Sequence, residues 1–567
     1  MDGILEIVFR LHRNAPDCYN LNSPVKDRQE SKEHVIVANA KPITLKLLPK
    51  EYWWGGVVRD GDRMPYGARE NYRHALCPDL KGNQGCPILV SSAGRYIWSE
   101  EPFTFEFRDG ALTISEQLGE IVVGEGHENL RGAYLDACRK FFPPTGRIPH
   151  ELCFLAPQYN SWIDVQKYPT QEKVLTYAQT VLDAKMPPGV LMIDDFWYRN
   201  CGLWRWDSEA FPDPKKMVEQ LHRQGFLVVL WICPWVTADT RQYEMLRDKG
   251  FLIREAPKKW AIQEWWNGYS AILDLSNPGA LAWFQGELDK LVADFGIDGF
   301  KFDGGDPYRY SPNYLTYAPR NPNGHGEDFG RIGLKYGISE YRGCWKLGGT
   351  HLIQRVRDKQ HIWTRDGMAD LIPSGIAQGL MGYPYSCPDM VGSGQLGSFT
   401  GGPEVKDPEL FVRWAQLSTF FPIIQYSLLP ARYLTGEHLD LTMRMVALRM
   451  KIAPEILALA THASKTGEPI LRHMAYEFPG EEMETVQDQY MLGGKYLVAP
   501  VVTQGARSRK IKFPGGVWHG EDGSVVKGPC EIEVDAPLSR LPHYVREARP
   551  ALIGSRPRPT RQLSNNQ

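Results

Sequence analysis

Four stretches of this chain place a carboxylate or an indole where an apolar run gives way to loop residues: Asp194 and Asp195 in GVLMIDDFW, Trp231 and Trp235 in FLVVLWICPWV, Asp303 and Asp306 in GIDGFKFDGGD, and Asp389 at the end of MGYPYSCPD. Carboxylates and indoles together suit a sugar. One pair of carboxyl groups can attack and protonate a glycosidic bond, others accept hydroxyl hydrogen bonds, and an indole face stacks on the CH face of a pyranose. Each residue also has a plainer use: an Asp after a strand caps the next helix, and a Trp on an apolar strand is core. Asp303 stands apart. Lys301 lies two residues back on the same strand face, and Gly304 and Gly305 leave the carboxylate uncovered. A neighbouring cation lowers a carboxylate's pKa, which keeps a nucleophile ionised at neutral pH.

Such a constellation needs elements that bring several strand ends to one place. From ELCFLAP (151–157) onward the chain alternates apolar run and amphipathic helix: GVLMIDDFW precedes DPKKMVEQLHRQG, FLVVLWICPWV precedes TRQYEMLRDKG, and PGALAWFQGELDKLVADFG feeds GIDGFKFDGGD. Later units are fainter, through MGYPYSCPD, FPIIQYS and a helix around 440–464. Strands buried on both faces and alternating with helices form a parallel sheet, and about eight units predict an α/β fold closed as a (β/α)8 barrel with its site at the carboxyl ends of the strands. Shorter alternating runs before residue 148 and after residue 481 (KPITLKLL, GALTISE; RKIKFPGGVW, CEIEVDAP) predict flanking β domains. The expected division is an N-terminal β-sandwich over 1–148, the barrel over 149–480 and a small C-terminal β-sandwich over 481–567. The last part ends in the polar tail GSRPRPTRQLSNNQ.

The totals narrow the partners. A net charge of −2 in 567 residues with both signs interspersed offers no field for nucleic acid or an anionic membrane. Ten scattered Cys show no zinc-type spacing and no glycine-rich phosphate cradle is present, so neither metal nor organic cofactor is expected. The 11% aromatic content, with 17 Trp, fits a sugar-binding protein as well as a large core. The start MDGILEIVFRLHRN is not a signal peptide, and no run of about 18 apolar residues occurs, so a cytoplasmic protein acting on a small glycoside or oligosaccharide is expected, a trimmed secreted form remaining open.

At this point the motifs resemble glycoside hydrolase family 31. GIDGFKFDGGD resembles its nucleophile strand, LMIDDFWY and the following FPDPKKMVEQLHRQGFLVVLWICPWV its second and third barrel strands, WWNGYSAILDLSNPGALAWF its Trp-bearing segment, and GLMGYPYSCPDMVGSG its late Asp-x-x-Gly motif. The resemblance implies a retaining, exo-acting α-glycosidase with Asp303 as nucleophile. It implies Asp358 in RVRDKQHIW, five residues before Trp363, as general acid/base, with Asp366 in WTRDGM as the rival and with Trp363 and Arg355 among the substrate-binding residues. The family glycine before the acid is Arg357 here. Asp194 and Trp266 match hydroxyl-binding and stacking positions, Trp231 and Lys301 flank the same pocket, and Arg355 replaces a Trp of α-glucosidases. Cys233 and Ser427 depart from a starch-type pocket, and Cys201 stands where a sulfosugar-binding Arg would be. The combination looks most like the bacterial α-galactosidase branch, the alternatives being α-glucosidase, α-xylosidase or a silent sugar-binding protein. The segment EYWWGGVVRDGDRMPYG (51–67) is expected to wall one side of the pocket.

Overall fold

Eight short parallel strands occupy the centre of the computed structural model, which describes residues 32–36 and 41–547; the expected loose tail lies outside the described residues. They are β1 (Gln158–Asn160), β2 (Val190–Ile193), β3 (Leu227–Ile232), β4 (Gly299–Phe302), β5 (Ile338–Tyr341), β6 (Ile353–Arg355), β7 (Ser386–Cys387) and β8 (Gln425–Tyr426). Pairing runs in chain order from β1 to β7, with β8 on the free side of β1. A single parallel bridge between Met390 and Gln425 and the Ile423 N–H to the Ser386 carbonyl (3.2 Å) draw β7 toward β8. The result is the (β/α)8 barrel that the alternation predicts.

Local chemistry sets the phase of these elements. Asp213 caps the helix Pro214–Arg223 through the Lys216 N–H, and Asn277 caps Pro278–Phe295 through Gly279, each with Pro at the first turn. Gly296 ends the second helix at φ +76°, a conformation that costs other residues energy. The Asp298 carboxylate then accepts the Val228 N–H (2.7 Å) and a hydrogen bond with His222 (2.9 Å), pinning the start of β4 to β3. From that fixed start, four residues carry the chain to Asp303.

Two expectations need correction. ELCFLAP is not the first strand: Leu152–Leu155 is a helical turn and β1 begins at Gln158, because a short buried apolar run does not reveal its own period. Strands β5 and β6 gave no apolar signal, since ISEY and IQR put Glu340, Gln354 and Arg355 in the interior.

The flanking domains are β-rich, as expected. An antiparallel four-stranded sheet (Ile43–Lys46, Tyr72–Ala75, Thr104–Arg108, Ala111–Ser115) accompanies a larger sheet that contains Trp53–Val57, Gln84–Ser91 and Tyr96–Ser99. That larger sheet takes in Cys344–Trp345, a piece of the loop after β5, which pairs in parallel with Gln84 and Gly85. Sandwich and barrel thus share a sheet. After the barrel, a six-stranded antiparallel sheet carries the long hairpin Ser508–Gly520 and Val525–Asp535 over a core of Ile511, Phe513, Trp518 and Tyr544. No described helix is long and apolar enough to cross a membrane.

Candidate active site

The carboxyl ends of the barrel strands open into a cavity of about 460 Å³, within the range of small-molecule sites. Asp303, Asp358, Asp194, Trp231, Lys301 and Trp266 all line it. Register explains part of this meeting: Trp231 on β3 is opposite Lys301 on β4, and Lys301 is opposite Glu340 on β5, so the three form one interior layer just below the strand ends. Trp266 comes from elsewhere. It sits at the turn between the antiparallel strands Ile262–Trp265 and Gly268–Ile272 and is 44% exposed, its face available to a ligand.

The Asp303 carboxylate is held on both oxygens. Oδ1 accepts from Arg342 Nε (2.8 Å) and the Gly304 N–H (2.8 Å), and Oδ2 accepts from the Trp231 indole N–H (3.2 Å). Burial alone would raise its pKa, but Arg342 first, then Lys301 and Arg355, outweigh burial and hold it well below the usual carboxylate range. Lys301 therefore helps from a distance, as its Nζ is committed to Asp194 Oδ2 at 2.6 Å, a pair buried on both sides. The cation in contact with Asp303 is Arg342, which also clamps Asp306 through two nitrogens (3.0 and 2.6 Å).

Asp358 lies on a different network. Arg355 Nη1 donates to Asp358 Oδ1 (2.8 Å) and to Asp389 Oδ1 (2.7 Å), while Arg355 Nε faces Glu340 at 3.2 Å. Three carboxyl groups thus converge on one guanidinium. Asp358 is the open member, its side chain 33% exposed, whereas Asp389 and Glu340 are buried. Burial, aided by the Asp358 charge, pushes Asp389 up to about 6 despite Arg355, and burial likewise raises Glu340. Asp195, beside Asp194, is pushed up to about 6 by burial, although Tyr198, Asn267 (2.8 Å) and the Phe196 N–H hydrogen-bond to it.

Several expected residues stand elsewhere. Arg355 is fully buried and holds Asp358 from behind instead of facing the cavity. Trp363 turns its indole N–H to Asp407 (2.8 Å) and packs on the core, away from the cavity lining, because the loop after Asp358 is drawn to Asp407, the cap of the helix Pro408–Thr419, and the Asp407 N–H meets His361 at 3.2 Å. Asp366 is off the cavity as well, bound by Arg59 (2.5 Å) and Arg357 (2.9 Å); these cations and Lys359 outweigh burial and lower its pKa. Segment 51–67 contributes no lining residue, and its Arg59 instead ties Asp366 and Asp370 together. The Ser427 hydroxyl accepts the Ile163 N–H (2.7 Å), and Cys201 and Cys233 are buried and line no part of the cavity.

Arg342, Arg357, Lys167 and Asn267 line the cavity unforeseen. Arg342 directly follows β5, the strand without an apolar signal, so a search of strand ends had no strand from which to reach it.

The family profile of the glycosyl hydrolases family 31 TIM-barrel domain matches residues 157–456, and that of the family's C-terminal domain matches 467–549. The myogenesis-regulating glycosidase of Mus musculus is 29% identical over 409 residues, covering 70% of this chain and 57% of that protein. Alpha-glucosidase 2 of Bacillus thermoamyloliquefaciens is 24% identical over 460 residues, covering 75% and 56%. The crystal structure of a family 31 alpha-xylosidase from a soil metagenome, complexed with xylose, superposes with a TM-score of 0.77 at 21% identity, covering 93% of this chain and 81% of that one. This chain spans little more than half the length of the two sequence relatives. On the profile match through the barrel and its C-terminal partner, the chain belongs to glycosyl hydrolase family 31.

Proposed function

We propose that this chain is a retaining, exo-acting α-glycosidase in which Asp303 is the nucleophile and Asp358 the general acid/base. The observation that carries the reading is the unlike treatment of two carboxylates in one cavity: Asp303 is kept ionised by Arg342, whereas Asp358 is the open member of a trio with one cation among three acids. Burial pushes the two enclosed members, Asp389 and Glu340, up, and Asp358 is the member of the trio that reaches the cavity. In the first step Asp303 attacks the anomeric carbon and the proton passes from Asp358 to the departing oxygen; in the second Asp358 takes a proton from water, which displaces Asp303 from the sugar. Asp366, ionised by two arginines and off the cavity, has no proton to give and no path to the substrate. Asp194 and Lys301 present a buried, ordered pair of polar groups to hydroxyls of the terminal sugar, and Trp266 offers a face for stacking.

For the sugar, the names of the relatives favour an α-xyloside or α-glucoside over the α-galactoside expected from the motifs. A panel of 4-nitrophenyl α-xyloside, α-glucoside and α-galactoside ranks the three. Asp303→Ala abolishes turnover of the preferred glycoside. Asp358→Ala lowers turnover about 10²- to 10⁴-fold for poor leaving groups, the usual contribution of a general acid, while with 4-nitrophenyl glycosides, whose leaving group departs unaided, azide attacks the glycosyl-enzyme and restores part of the lost turnover. Azide rescue at Asp366→Ala and none at Asp358→Ala would reassign the acid. Binding without turnover of any of the three would leave a silent sugar-binding protein.

A further inference from the structure

Three of the four cavity carboxylates meet a cation: Asp194 meets Lys301, Asp303 meets Arg342, which Asp306 shares, and Asp358 meets Arg355, which Asp389 and Glu340 share; Asp195 meets none among the described residues. Two further cations line the same cavity, Arg357 and Lys167. Arg357 has one carboxylate partner, Asp366 Oδ1 at 2.9 Å, and that oxygen already accepts Arg59 Nη2 at 2.5 Å. The Arg357 Nε–H is buried with no hydrogen-bond partner. Lys167 is exposed, has no carboxylate partner among the described residues, and has only the Phe196 ring 5.7 Å away. The Arg357 backbone is not loose, because its N–H donates to Asn83 Oδ1 at 2.7 Å, a contact from the N-terminal sandwich.

Position gives these two cations a meaning. Arg357 and Asp358 are neighbours that both line the cavity, and the carboxyl group that protonates a departing oxygen lies against the aglycone, so the aglycone enters the part of the cavity that these two residues share. A neutral sugar gains little from a guanidinium left short of an anion, whereas a carboxylate or phosphate matches its donor fork. Building on the glycosidase reading, we infer that the leaving-group side of this cavity selects an aglycone carrying an anionic oxygen group, with Arg357 its specificity-determining residue and Lys167 a second cation at the rim.

The test compares two α-glycosides of the sugar that the panel ranks first by turnover or by binding, one of 4-nitrophenol and one of 3-carboxy-4-nitrophenol. The wild-type kcat/KM ratio, carboxylate over neutral, is expected at tenfold or more in low salt and to shrink as salt screens the contact. Arg357→Gln brings the ratio toward one and Arg357→Lys retains part of it. Because both glycosides are measured on the same preparation, a fraction of misfolded variant cancels from the ratio. Titration of the same pair into Asp303→Asn reads the preference as affinities, so lack of turnover overturns the glycosidase reading alone, while equal affinities overturn the anionic aglycone. A wild-type ratio near one, or a ratio unchanged in Arg357→Gln, overturns it as well. Stronger inhibition by free glucuronate or by glycerol 3-phosphate than by glucose tells carboxylate from phosphate, and equal inhibition by all three counts against the proposal.

Discussion

Asp303 is surrounded by cations at graded distance, and the one in contact decides its charge. Arg342→Met leaves a buried carboxylate without its partner, a change that costs about 3 to 5 kcal/mol when a buried pair is broken. The pKa of Asp303 then rises, so the acid limb of the kcat/KM profile moves toward neutral pH while the basic limb stays; Arg342→Lys reverses part of the shift. An unmoved acid limb would remove Arg342 from this role. Asp195 has the opposite setting. Folded Asp195 keeps its proton up to about 6 against an ordinary 3.8, so between these values the folded chain binds more protons than the unfolded one. Its contribution is therefore present below about pH 4 and lost as pH rises through about 6, by an amount on the order of 2 to 3 kcal/mol. The stability difference between wild type and Asp195→Asn, from urea unfolding at pH 4.5 and pH 7, should fall by a large part of that amount at the higher pH.

One turn of the N-terminal sandwich serves as a bracket for two barrel strands. Gln84 Nε2 donates to the carbonyls of Arg342 (2.6 Å) and Arg355 (2.7 Å), the Gly82 carbonyl accepts from Arg342 Nη1 (2.9 Å), and Asn83 holds Arg357. The cation on Asp303 and the cation on Asp358 are thus set relative to each other from outside the barrel. Gln84→Ala leaves buried carbonyls without a donor, at about 1 to 3 kcal/mol, and frees the end of β5. Steady-state kinetics should show kcat falling tenfold or more with little change in KM, since misalignment acts on the reacting groups more than on hydroxyl binding. A change confined to KM would assign Gln84 to substrate binding instead.

At the scale of the molecule, the shared sheet makes the sandwich and the barrel one folding problem. Trp345 and Cys344 are buried in the sheet that contains Gln84–Ser91, and the turn at residues 58–63 packs against Leu371–Leu380 so closely that a Cβ on Gly61 would stand 2.5 Å from the Pro373 carbonyl. Residues 149–547 expressed alone would expose that edge strand and remove the Gln84 bracket. They are expected to give no cooperative thermal transition and no turnover. A stable, active fragment would show that the barrel is self-sufficient.

The sequence by itself determined the barrel, the β domains on either side, and the placement of Asp194, Trp231, Lys301 and Asp303, because strands β2 and β3 are continuous apolar runs and β4 is broken only by Lys301, so that their ends announce themselves. It also brought Asp358 and Trp266 to the cavity by family resemblance. Tertiary structure decided the rest. Arg342 follows a strand with a charged interior, Trp363 depends on a loop that folds back onto Asp407, and Arg355 turned inward to gather three carboxylates. Which cation meets which acid is settled by contacts between segments as far apart as Gln84 and Arg355, and no local period of the chain encodes those distances.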